Sequence, residues 1–345
     1  MKAFVTGVNG YIGAVLAPVL SERGIVVKGL DTGYYRDGWL YSDNAQQAVS
    51  PETLNMDLRR ITPADLSGCD AVVHLAELSN DPLGANNPAV TYKINHAGSV
   101  SLANAAREAG IRRFIYASSC SVYGAGNGDF LDESSPTNPQ TAYARCKVLV
   151  EQDVGAMTGY DFCPVFLRNA TAFGPSPRMR FDIVLNDLCA LAWTTRRIAM
   201  LSDGSPWRPL VHIRDICEAI YRCLIAPEEA IAGKIFNVGR NSENYRISEI
   251  AAIVAKEFPG CEVTVGPPSG DNRSYRVSFE RIHRELPGFE CRHTAQDGVR
   301  QLKQVFERIG MSADTYRFRA FTRLKQIEYL STTRQIDQDF YWNPL

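Results

Sequence analysis

The stretch TGVNGYIG at residues 6–13 places a glycine at every third position. A short apolar strand at residues 3–5 leads into it, and residues 11–23 carry apolar side chains at helical spacing. Between a strand and a helix, such glycines permit a tight turn and a close approach of the backbone to a pyrophosphate, to which the helix N-terminus presents N–H donors. The stretch therefore predicts a dinucleotide-binding loop, whose contacts we assign to Gly7, Asn9, Gly10, Tyr11, Ile12 and Gly13.

Asp31 ends the next apolar segment, a strand predicted at residues 25–30. A carboxylate at this point of a βαβ unit accepts hydrogen bonds from the adenosine ribose hydroxyls and repels a 2′-phosphate. No arginine follows until Arg36, so a cation for that phosphate is missing from the positions directly after Asp31. The pattern therefore favours NAD over NADP as the cofactor.

Strands and helices continue to alternate along the chain, which indicates a parallel sheet covered on both faces. Further strands are predicted at residues 71–75, 114–117, 163–167, 210–213 and 234–238, and helices at 97–109, 142–156, 183–194 and 215–225. We predict an α/β fold: a Rossmann-type doubly wound parallel sheet with a smaller, partly discontinuous C-terminal substrate lobe. The predicted NAD-binding domain is 1–167 plus about 208–240, and the substrate lobe with its helical C-terminal extension is about 168–207 plus 241–345.

The composition excludes several classes of protein. Among 345 residues, 45% are hydrophobic and 22% charged, and the formal net charge is −1, so no basic field favours nucleic acid or an anionic membrane. No apolar run approaches the roughly 20 residues of a membrane helix. The nine cysteines form no CxxC pair, which argues against a metal site or a disulfide framework and favours a reducing, cytoplasmic location. The N-terminus enters a strand at once, without a signal-peptide layout.

Tyr143 and Lys147 form a Y-x-x-x-K pair inside a predicted helix and therefore share one helix face. A nearby ammonium lowers the energy of a tyrosinate, so we expect Lys147 to lower the pKa of Tyr143 and the phenol to exchange protons near neutral pH. Ser119 lies 24 residues earlier, at a predicted strand end, where its hydroxyl can polarise the same substrate oxygen. The three residues are the predicted catalytic set.

The chain resembles the extended short-chain dehydrogenases, the family of nucleotide-sugar epimerases, dehydratases and reductases, over roughly residues 1–290. The matching segments are residues 6–13, 74–76, 118–124, 143–147, 167–168, 207–208 and 236–239, together with Asn95 and Asp215. By this resemblance, Asp57 and Leu58 flank the adenine, Leu75 and Ala76 lie along the cofactor, and Asn95 supports its loop. Lys147 holds the nicotinamide ribose.

The residues between Ser119 and Val122 indicate the subclass. Dehydratases similar to dTDP-glucose 4,6-dehydratase carry Asp-Glu there as acid and base, whereas this chain has Cys120-Ser121. Other members place a cysteine at the position of Ser121, so Cys120 is one residue early and is expected to face the opposite side and pack. The predicted catalytic residues are therefore Ser, Tyr and Lys without an added carboxylate or cysteine, and this set is most like that of UDP-galactose 4-epimerase.

The substrate residues rest on the same resemblance. Arg208 is expected to bind the diphosphate of a nucleotide sugar, and residues 271–276 (DNRSYR) match a later diphosphate or ribose segment, in which Arg273 or Arg276 substitutes for a missing arginine. The full predicted substrate set is Ser119, Ser121, Asn169, Thr171, Arg208, Arg273 and Arg276.

The roles of several neighbouring side chains are predicted separately. Arg178 and Arg180 either contact a phosphate or lie in solvent, and solvent is favoured. His74 and His212 are expected to be structural residues. Glu77 stands where small residues are usual, and two alternatives stay open: a contact with the sugar, or a charge directed to a cleft.

The leading hypothesis is an NAD-dependent epimerase of a nucleotide-diphosphate sugar, acting at C4 through a transient 4-keto intermediate. The alternatives are a net nucleotide-sugar dehydrogenase or 4-keto reductase and, with the catalytic residues present, less readily a non-catalytic NAD-binding regulator. A homodimer is expected through helices 97–109 and 142–156, because Val148, Leu149 and Val154 add apolar surface to the latter.

Overall fold

A seven-stranded parallel sheet forms the centre of the computed structural model, which describes residues 1–42, 51–267 and 273–344. The strands run in the order β11-β7-β5-β4-β1-β2-β3, and every neighbouring pair is parallel. Their bounds are β1 Lys2–Thr6, β2 Val26–Asp31, β3 Glu52–Asn55, β4 Ala71–His74, β5 Arg113–Ser119, β7 Cys163–Asn169 and β11 Ile235–Val238. The predicted Rossmann-type fold is confirmed.

Helices cover both faces of this sheet and extend into the C-terminal part of the chain. They are α1 Gly13–Glu22, α2 Asp81–Asn86, α3 Pro88–Thr91, α4 Gly98–Glu108, α5 Ala142–Gly155, α6 Val184–Thr195, α7 Ile213–Ile225, α8 Ile247–Glu257, α9 Glu280–Glu285, α10 Ala295–Ile309, α11 Ala313–Arg317 and α12 Arg323–Thr332. In the described residues, none of these helices combines the length and apolar character that crossing a bilayer requires.

Two apolar cores lie on opposite faces of the sheet because successive strand residues point in opposite directions. On β1, Val5 packs into the core beneath α1, whereas Phe4 packs into the core beneath α4. Both side chains are fully buried, as expected for a parallel sheet with helices on both sides.

Three small sheets stand apart from the central one. Their strands are β6 Ala125–Leu131, β8 Thr171–Phe173, β9 Arg197–Ala199, β10 Trp207–His212, β12 Asn244–Arg246, β13 Glu262–Thr264 and β14 Ser274–Val277. The strand expected near 210–213 is β10, which pairs with β8 and β12 and not with the central sheet. The edge position beside β7 is instead occupied by β11.

The C-terminal extension is helical, as predicted, and its last residues return to the cofactor lobe. The Tyr34 hydroxyl donates to the Phe340 carbonyl (2.5 Å), and the Trp342 indole N–H donates to the Thr32 carbonyl (2.6 Å). The tail therefore lies against the segment that follows β2 and Asp31.

Candidate active site

A cavity of about 710 Å³ opens at the carboxyl ends of the central strands, where ligands of doubly wound sheets bind. It gathers most of the residues predicted from the sequence. Those on its wall are Gly7, Gly10, Tyr11, Ile12, Gly13, Asp31, Asp57, Leu58, Leu75, Ala76, Ser119, Ser121, Tyr143, Lys147, Asn169, Thr171, Arg208 and Arg273. A second cavity of about 450 Å³ adjoins Asp31 and includes Asn9.

The glycine stretch forms a cradle that side chains would fill. Gly7 has φ +69°, and a Cβ on Gly13 would lie 2.2 Å from the Gly7 carbonyl oxygen. A Cβ on Gly7 would in turn approach the Ala76 backbone nitrogen at 3.0 Å. Helix α1 begins directly at Gly13, so the positive end of its dipole adjoins this space. The residues present therefore fit the pyrophosphate of a dinucleotide.

Asp31 is held by the same loop. Its carboxylate accepts hydrogen bonds from the backbone N–H groups of Asn9 (3.0 Å) and Gly33 (2.8 Å). Burial raises the pKa of Asp31, and these two hydrogen bonds oppose the increase. The carboxylate borders both cavities, which suits a contact with a ribose that spans them.

Asp57 and Asn95 form hydrogen bonds with the loops around the cavity. The Asp57 carboxylate accepts from the Arg59 side chain at 2.7 Å while it lines the large cavity. Asn95 is fully buried and bonds the Leu78 backbone in both directions, at 2.9 and 3.1 Å. Within the described residues Asn95 is not part of the cavity wall, so its place is that of a support for the loop after β4.

Helix α5 carries the Tyr143–Lys147 pair to the cavity. Thr141 caps the helix, because its side-chain oxygen accepts the Ala144 N–H at 3.1 Å and the backbone is extended there. The cap places Tyr143 in the first helical turn and Lys147 one turn later. Ser119 ends the neighbouring strand β5, and the three side chains meet on the cavity wall.

The electrostatics of Tyr143 differ from the expectation. Burial raises the pKa of the phenol well above its ordinary value, the Glu77 carboxylate raises it further, and a hydrogen bond with Ser119 opposes the increase. The pKa of Tyr143 is thus raised, whereas a net lowering was expected from Lys147. Burial is the main cause, and Lys147 is paired at 2.5 Å with Glu77, both side chains being almost completely buried.

Cys120 is a packing residue, as predicted from its offset. It is 1% exposed, and its thiol points at the Arg168 carbonyl oxygen (3.1 Å), outside the cavity wall that the described residues form. Burial raises the pKa of this thiol. Ser121 instead faces the cavity, and its backbone N–H donates to the Ser119 hydroxyl at 3.1 Å.

The predicted diphosphate residues divide into two groups. Arg208 and Arg273 line the cavity, and the Arg208 guanidinium bonds the Arg273 carbonyl oxygen, so the two are neighbours. Arg276 lies outside the wall as far as the described residues define it, with its guanidinium 4.6 Å from the Phe130 ring and 5.2 Å from that of Trp207. Residues 271–272 of the same predicted segment lie outside the described residues.

Arg178 and Arg180 are buried, so their expected place in solvent is wrong. Arg178 donates to the carbonyl oxygens of Asn9 (2.9 Å) and Gly38 (3.0 Å) and thereby ties the glycine loop to the segment after β2. Arg180 forms an ion pair of 2.8 Å with Asp182, and both line the large cavity.

The two histidines predicted to be structural are confirmed as such. His74 is fully buried between the hydroxyls of Thr6 and Ser99, both at 2.7 Å, and burial lowers its pKa to about 3. His212 is fully buried and stacks on His293 with ring centroids 4.3 Å apart. Burial also lowers the pKa of His212 to about 3, so neither ring is placed to exchange protons near neutral pH.

Further cavity residues were not predicted as site residues. Six polar or ionisable ones among them are Asn80, Asp81, Asp182, Asp187, Tyr275 and Arg323. The only local signal among them is the Asn-Asp-Pro sequence that starts α2, where the Asn80 side chain caps the helix by accepting the Leu83 N–H at 2.9 Å. The others reach the cavity from distant parts of the chain.

Comparison with known proteins agrees with this geometry. A model of the NAD dependent epimerase/dehydratase family matches residues 3–239. A UDP-glucose 4-epimerase of Mycolicibacterium smegmatis is 30% identical over 318 residues, which cover 89% of this chain and 98% of that protein.

Solved structures share the fold. The NAD-dependent NDP-hexosamine 5,6-dehydratase TunA superimposes with a TM-score of 0.78 at 22% identity, over 89% of this chain and 98% of its own. A UDP-glucose-4-epimerase of Stenotrophomonas maltophila, solved with NAD and formylated UDP-arabinopyranose, gives 0.77 at 21% identity, over 90% and 99%.

The family match spans the glycine cradle, Asp31, Ser119 and the Tyr143–Lys147 pair, and its description names NAD, so the prediction of NAD as cofactor is confirmed. Residues from 240 onwards lie beyond the residues that the family model matches. The chain belongs to the NAD-dependent epimerase/dehydratase family, the extended short-chain dehydrogenases.

Proposed function

We propose that this enzyme epimerises a nucleotide-diphosphate sugar at C4 through a transient 4-keto sugar, with NAD as a retained cofactor. One observation carries the proposal. Ser119, Tyr143 and Lys147 meet in the cavity that holds the glycine cradle, while the segment between Ser119 and Val122 presents a hydroxyl and a buried thiol in place of the paired carboxylates of a dehydratase. The similarity to a UDP-glucose 4-epimerase over nearly the full chain supports the same activity.

The side chains have separate roles in this reaction. Tyr143 takes the proton of the C4 hydroxyl and returns it to the same oxygen after the keto sugar has turned over. Ser119 donates a hydrogen bond to that oxygen, and Lys147 binds the hydroxyls of the nicotinamide ribose. NAD, when bound, supplies the acceptor and then the donor of the hydride at C4.

Arg208 and Arg273 are the proposed ligands of the substrate diphosphate, because they are neighbouring cations on the side of the cavity formed by β10 and β14. We propose that the sugar lies between Ser119 on one side and Asn169 and Thr171 on the other. Asn169 ends β7 and Thr171 begins β8. We propose that the substrate lobe of about 168–207 plus 241–345, to which β10 adds Arg208, lies across the cavity from the cofactor lobe.

The proposal is tested by incubating purified protein with UDP-, GDP-, dTDP- and ADP-sugars without added cofactor. An epimerase forms the C4 epimer catalytically, because its NAD is regenerated in every cycle. A requirement for stoichiometric NAD or NADH would identify a net dehydrogenase or reductase and overturn the proposal. An enzyme that loads NAD but converts no sugar in this panel would favour the regulator.

We propose a homodimer in which α4 and α5 of each subunit pack into a four-helix bundle. Val148 and Leu149 of α5 are half-buried in the single chain and offer apolar surface. Val154 was expected to join them, but it is fully buried in the subunit's own core, so this part of the expectation is wrong. Light scattering should give about twice 38.3 kDa, and a monomer mass that persists on concentration would contradict the dimer.

A cytoplasmic location is also proposed. It rests on the nine cysteines, all of which are described and carry free thiols, as in proteins of reducing compartments. Fractionation of cells that express the tagged protein from its own gene would test it, and recovery in an oxidising compartment would contradict it.

A further inference from the structure

Glu77 occupies a position in the catalytic core that the proposed reaction does not use. It follows β4 and borders the cavity, yet its side chain is only 3% exposed. One carboxylate oxygen lies 2.5 Å from the Lys147 ammonium, and the other accepts a hydrogen bond of 2.5 Å from the Tyr116 hydroxyl. The carboxylate is therefore fixed from two sides, by helix α5 and by strand β5.

Lys147 is fixed just as closely. Its ammonium also donates to the Ala117 carbonyl oxygen and lies 4.6 Å from the centre of the Tyr116 ring and 5.4 Å from that of Tyr143. The side chain is 5% exposed, so water does little to screen it. The positive charge of Lys147 near the Tyr143 ring is thus offset by the negative charge of Glu77.

We propose that Glu77 is a positioning residue for proton transfer by Tyr143: its carboxylate holds the Lys147 ammonium at the end of β5 and offsets the charge that would otherwise stabilise the tyrosinate. This inference rests on the proposed role of Tyr143. The balance of charge keeps Tyr143 protonated, which is the form that returns a proton to the keto sugar. A neutral side chain at position 77 would shift Tyr143 towards the proton-accepting form.

Other charged groups face Tyr143, and in this structure each has its own partner. Asp81 from α2 pairs with Arg273, the residue before β14, and Arg180 pairs with Asp182 in the segment before α6. His74, at the end of β4, has a pKa near 3 and is uncharged near neutral pH. Tyr116 is kept protonated, since burial and then the Glu77 charge raise its pKa. A single substitution of Glu77 therefore changes the charge near Tyr143 and removes no residue of the other ion pairs.

The test is Glu77→Gln in the NAD-loaded enzyme, with two readouts. The first is the alkaline ultraviolet titration of tyrosinate, in which subtraction of a Glu77→Gln/Tyr143→Phe double variant isolates Tyr143. The second is the pH at the midpoint of the ascending limb of kcat. Loss of the carboxylate leaves the Lys147 ammonium unopposed, so both midpoints should move to lower pH by at least about one unit.

A matched control is Glu151→Gln, which also removes a buried carboxylate from an ion pair, here with Arg168 at 2.6 Å. It should lower stability without moving either midpoint, because Glu151 bonds Arg168 and Ser118 and has no contact with the Lys147 ammonium among the described ion pairs. If Glu77→Gln fails to fold, Tyr116→Phe tests the same inference, since it removes the second anchor of Glu77 while Lys147 keeps its partner. A smaller shift in the same direction is expected.

Midpoints equal to wild type in a folded Glu77→Gln variant, or in Tyr116→Phe if only that one folds, would overturn the inference, as would an equal shift in Glu151→Gln. The tyrosinate titration uses no substrate, so it distinguishes this inference from the proposed function. An enzyme that epimerises sugars but shows no shift refutes the role of Glu77 alone. A shift without any epimerisation refutes the assigned reaction and leaves the charge coupling standing.

Discussion

At the scale of single residues, the site is governed by burial as much as by residue type. Tyr143 and Lys147 share a helix face, but the proton affinity of the phenol depends on what surrounds it. Burial and the Glu77 charge both favour the neutral phenol, and the Ser119 hydroxyl opposes them. The pKa of Tyr143 is therefore a property of the packed site and not of the residue alone.

Tyr143→Phe should lower kcat by roughly 10²–10⁴-fold, because it removes the group that transfers the proton and keeps the ring. The circular dichroism spectrum and NAD affinity should stay near those of wild type. Tyr123→Phe is a matched control: Tyr123 is buried and donates to Asn237 at 2.8 Å, but it is not part of the cavity wall in the described residues. Comparable turnover in Tyr143→Phe and wild type would remove Tyr143 from the mechanism.

Asp31 should make NAD bind at least tenfold more tightly than NADP, a difference of about 1.4 kcal/mol. Its carboxylate borders both cavities and is held in place by the N–H groups of Asn9 and Gly33, so a 2′-phosphate would meet a fixed negative charge. Isothermal calorimetry with both cofactors measures the ratio. Equal affinities would show that the 2′-position lies away from Asp31.

At the scale of elements, the sheet edge and the helix termini place the chemistry. Strand β5 ends at Ser119, helix α5 starts one residue before Tyr143, and the loop after β4 delivers Glu77 between them. Helix α6 brings a further ionisable group to the opposite wall of the cavity. Asp187 lies in its first turn and accepts a hydrogen bond of 2.7 Å from the Tyr316 hydroxyl of α11.

Burial raises the pKa of Asp187 from 3.8 to about 6, with a smaller contribution from Asp182, whereas the hydrogen bond from Tyr316 opposes the increase. The folded protein thus binds this proton more tightly than the unfolded chain does, and stability falls as pH rises between about 4 and 6. Asp187→Asn does not titrate, so the stability of wild type relative to this variant should fall over the same range by at most about 3 kcal/mol.

Urea denaturation of wild type and Asp187→Asn across this pH range measures the difference. Asparagine keeps an oxygen that can accept from Tyr316, so the variant is expected to fold. A stability difference between the two proteins that stays constant with pH would mean that the carboxyl ionises as easily in the folded protein as in the unfolded chain.

At the scale of the whole molecule, the C-terminal tail completes the cofactor side of the enzyme. Trp342 bonds the Thr32 carbonyl, lies 5.9 Å from the Tyr34 ring, and forms part of the second cavity together with Asp31. The Arg36 guanidinium lies 4.7 Å above the indole. A segment more than 300 positions from β2 in sequence thus forms part of the cavity next to the Asp31 carboxylate.

Trp342→Ala should weaken NAD binding by roughly tenfold, about 1.4 kcal/mol, because it removes one wall of the cavity beside Asp31. The matched control is Trp193→Ala: its indole N–H also donates to a carbonyl, that of Met311 at 2.8 Å, but Trp193 lines neither cavity as the described residues form them. Both variants should lose about 1–3 kcal/mol of stability. If calorimetry gives the same NAD affinity for both, the tail has no part in holding the cofactor.

Local patterns were sufficient for the features that depend on neighbours in sequence. The glycine spacing at residues 6–13, the i, i+4 relation of Tyr143 and Lys147, and the offset of Cys120 each follow from the short-range geometry of a turn, a helix or an extended segment. These relations predicted the Rossmann sheet, the NAD loop and the catalytic trio, all of which meet in one cavity.

The remaining features arise only when distant segments meet. The pairing of Glu77 with Lys147 joins residues 70 positions apart, and Arg178 reaches back 169 positions to the Asn9 carbonyl. No local spacing encodes such contacts. Arg178 and Arg180 were therefore predicted in solvent but are buried, and the position of Trp342 beside Asp31 was not predicted. The pKa of Tyr143 is raised, and not lowered as the sequence predicted, for the same reason. Burial and the Glu77 charge raise it, and both arise only when the site is packed.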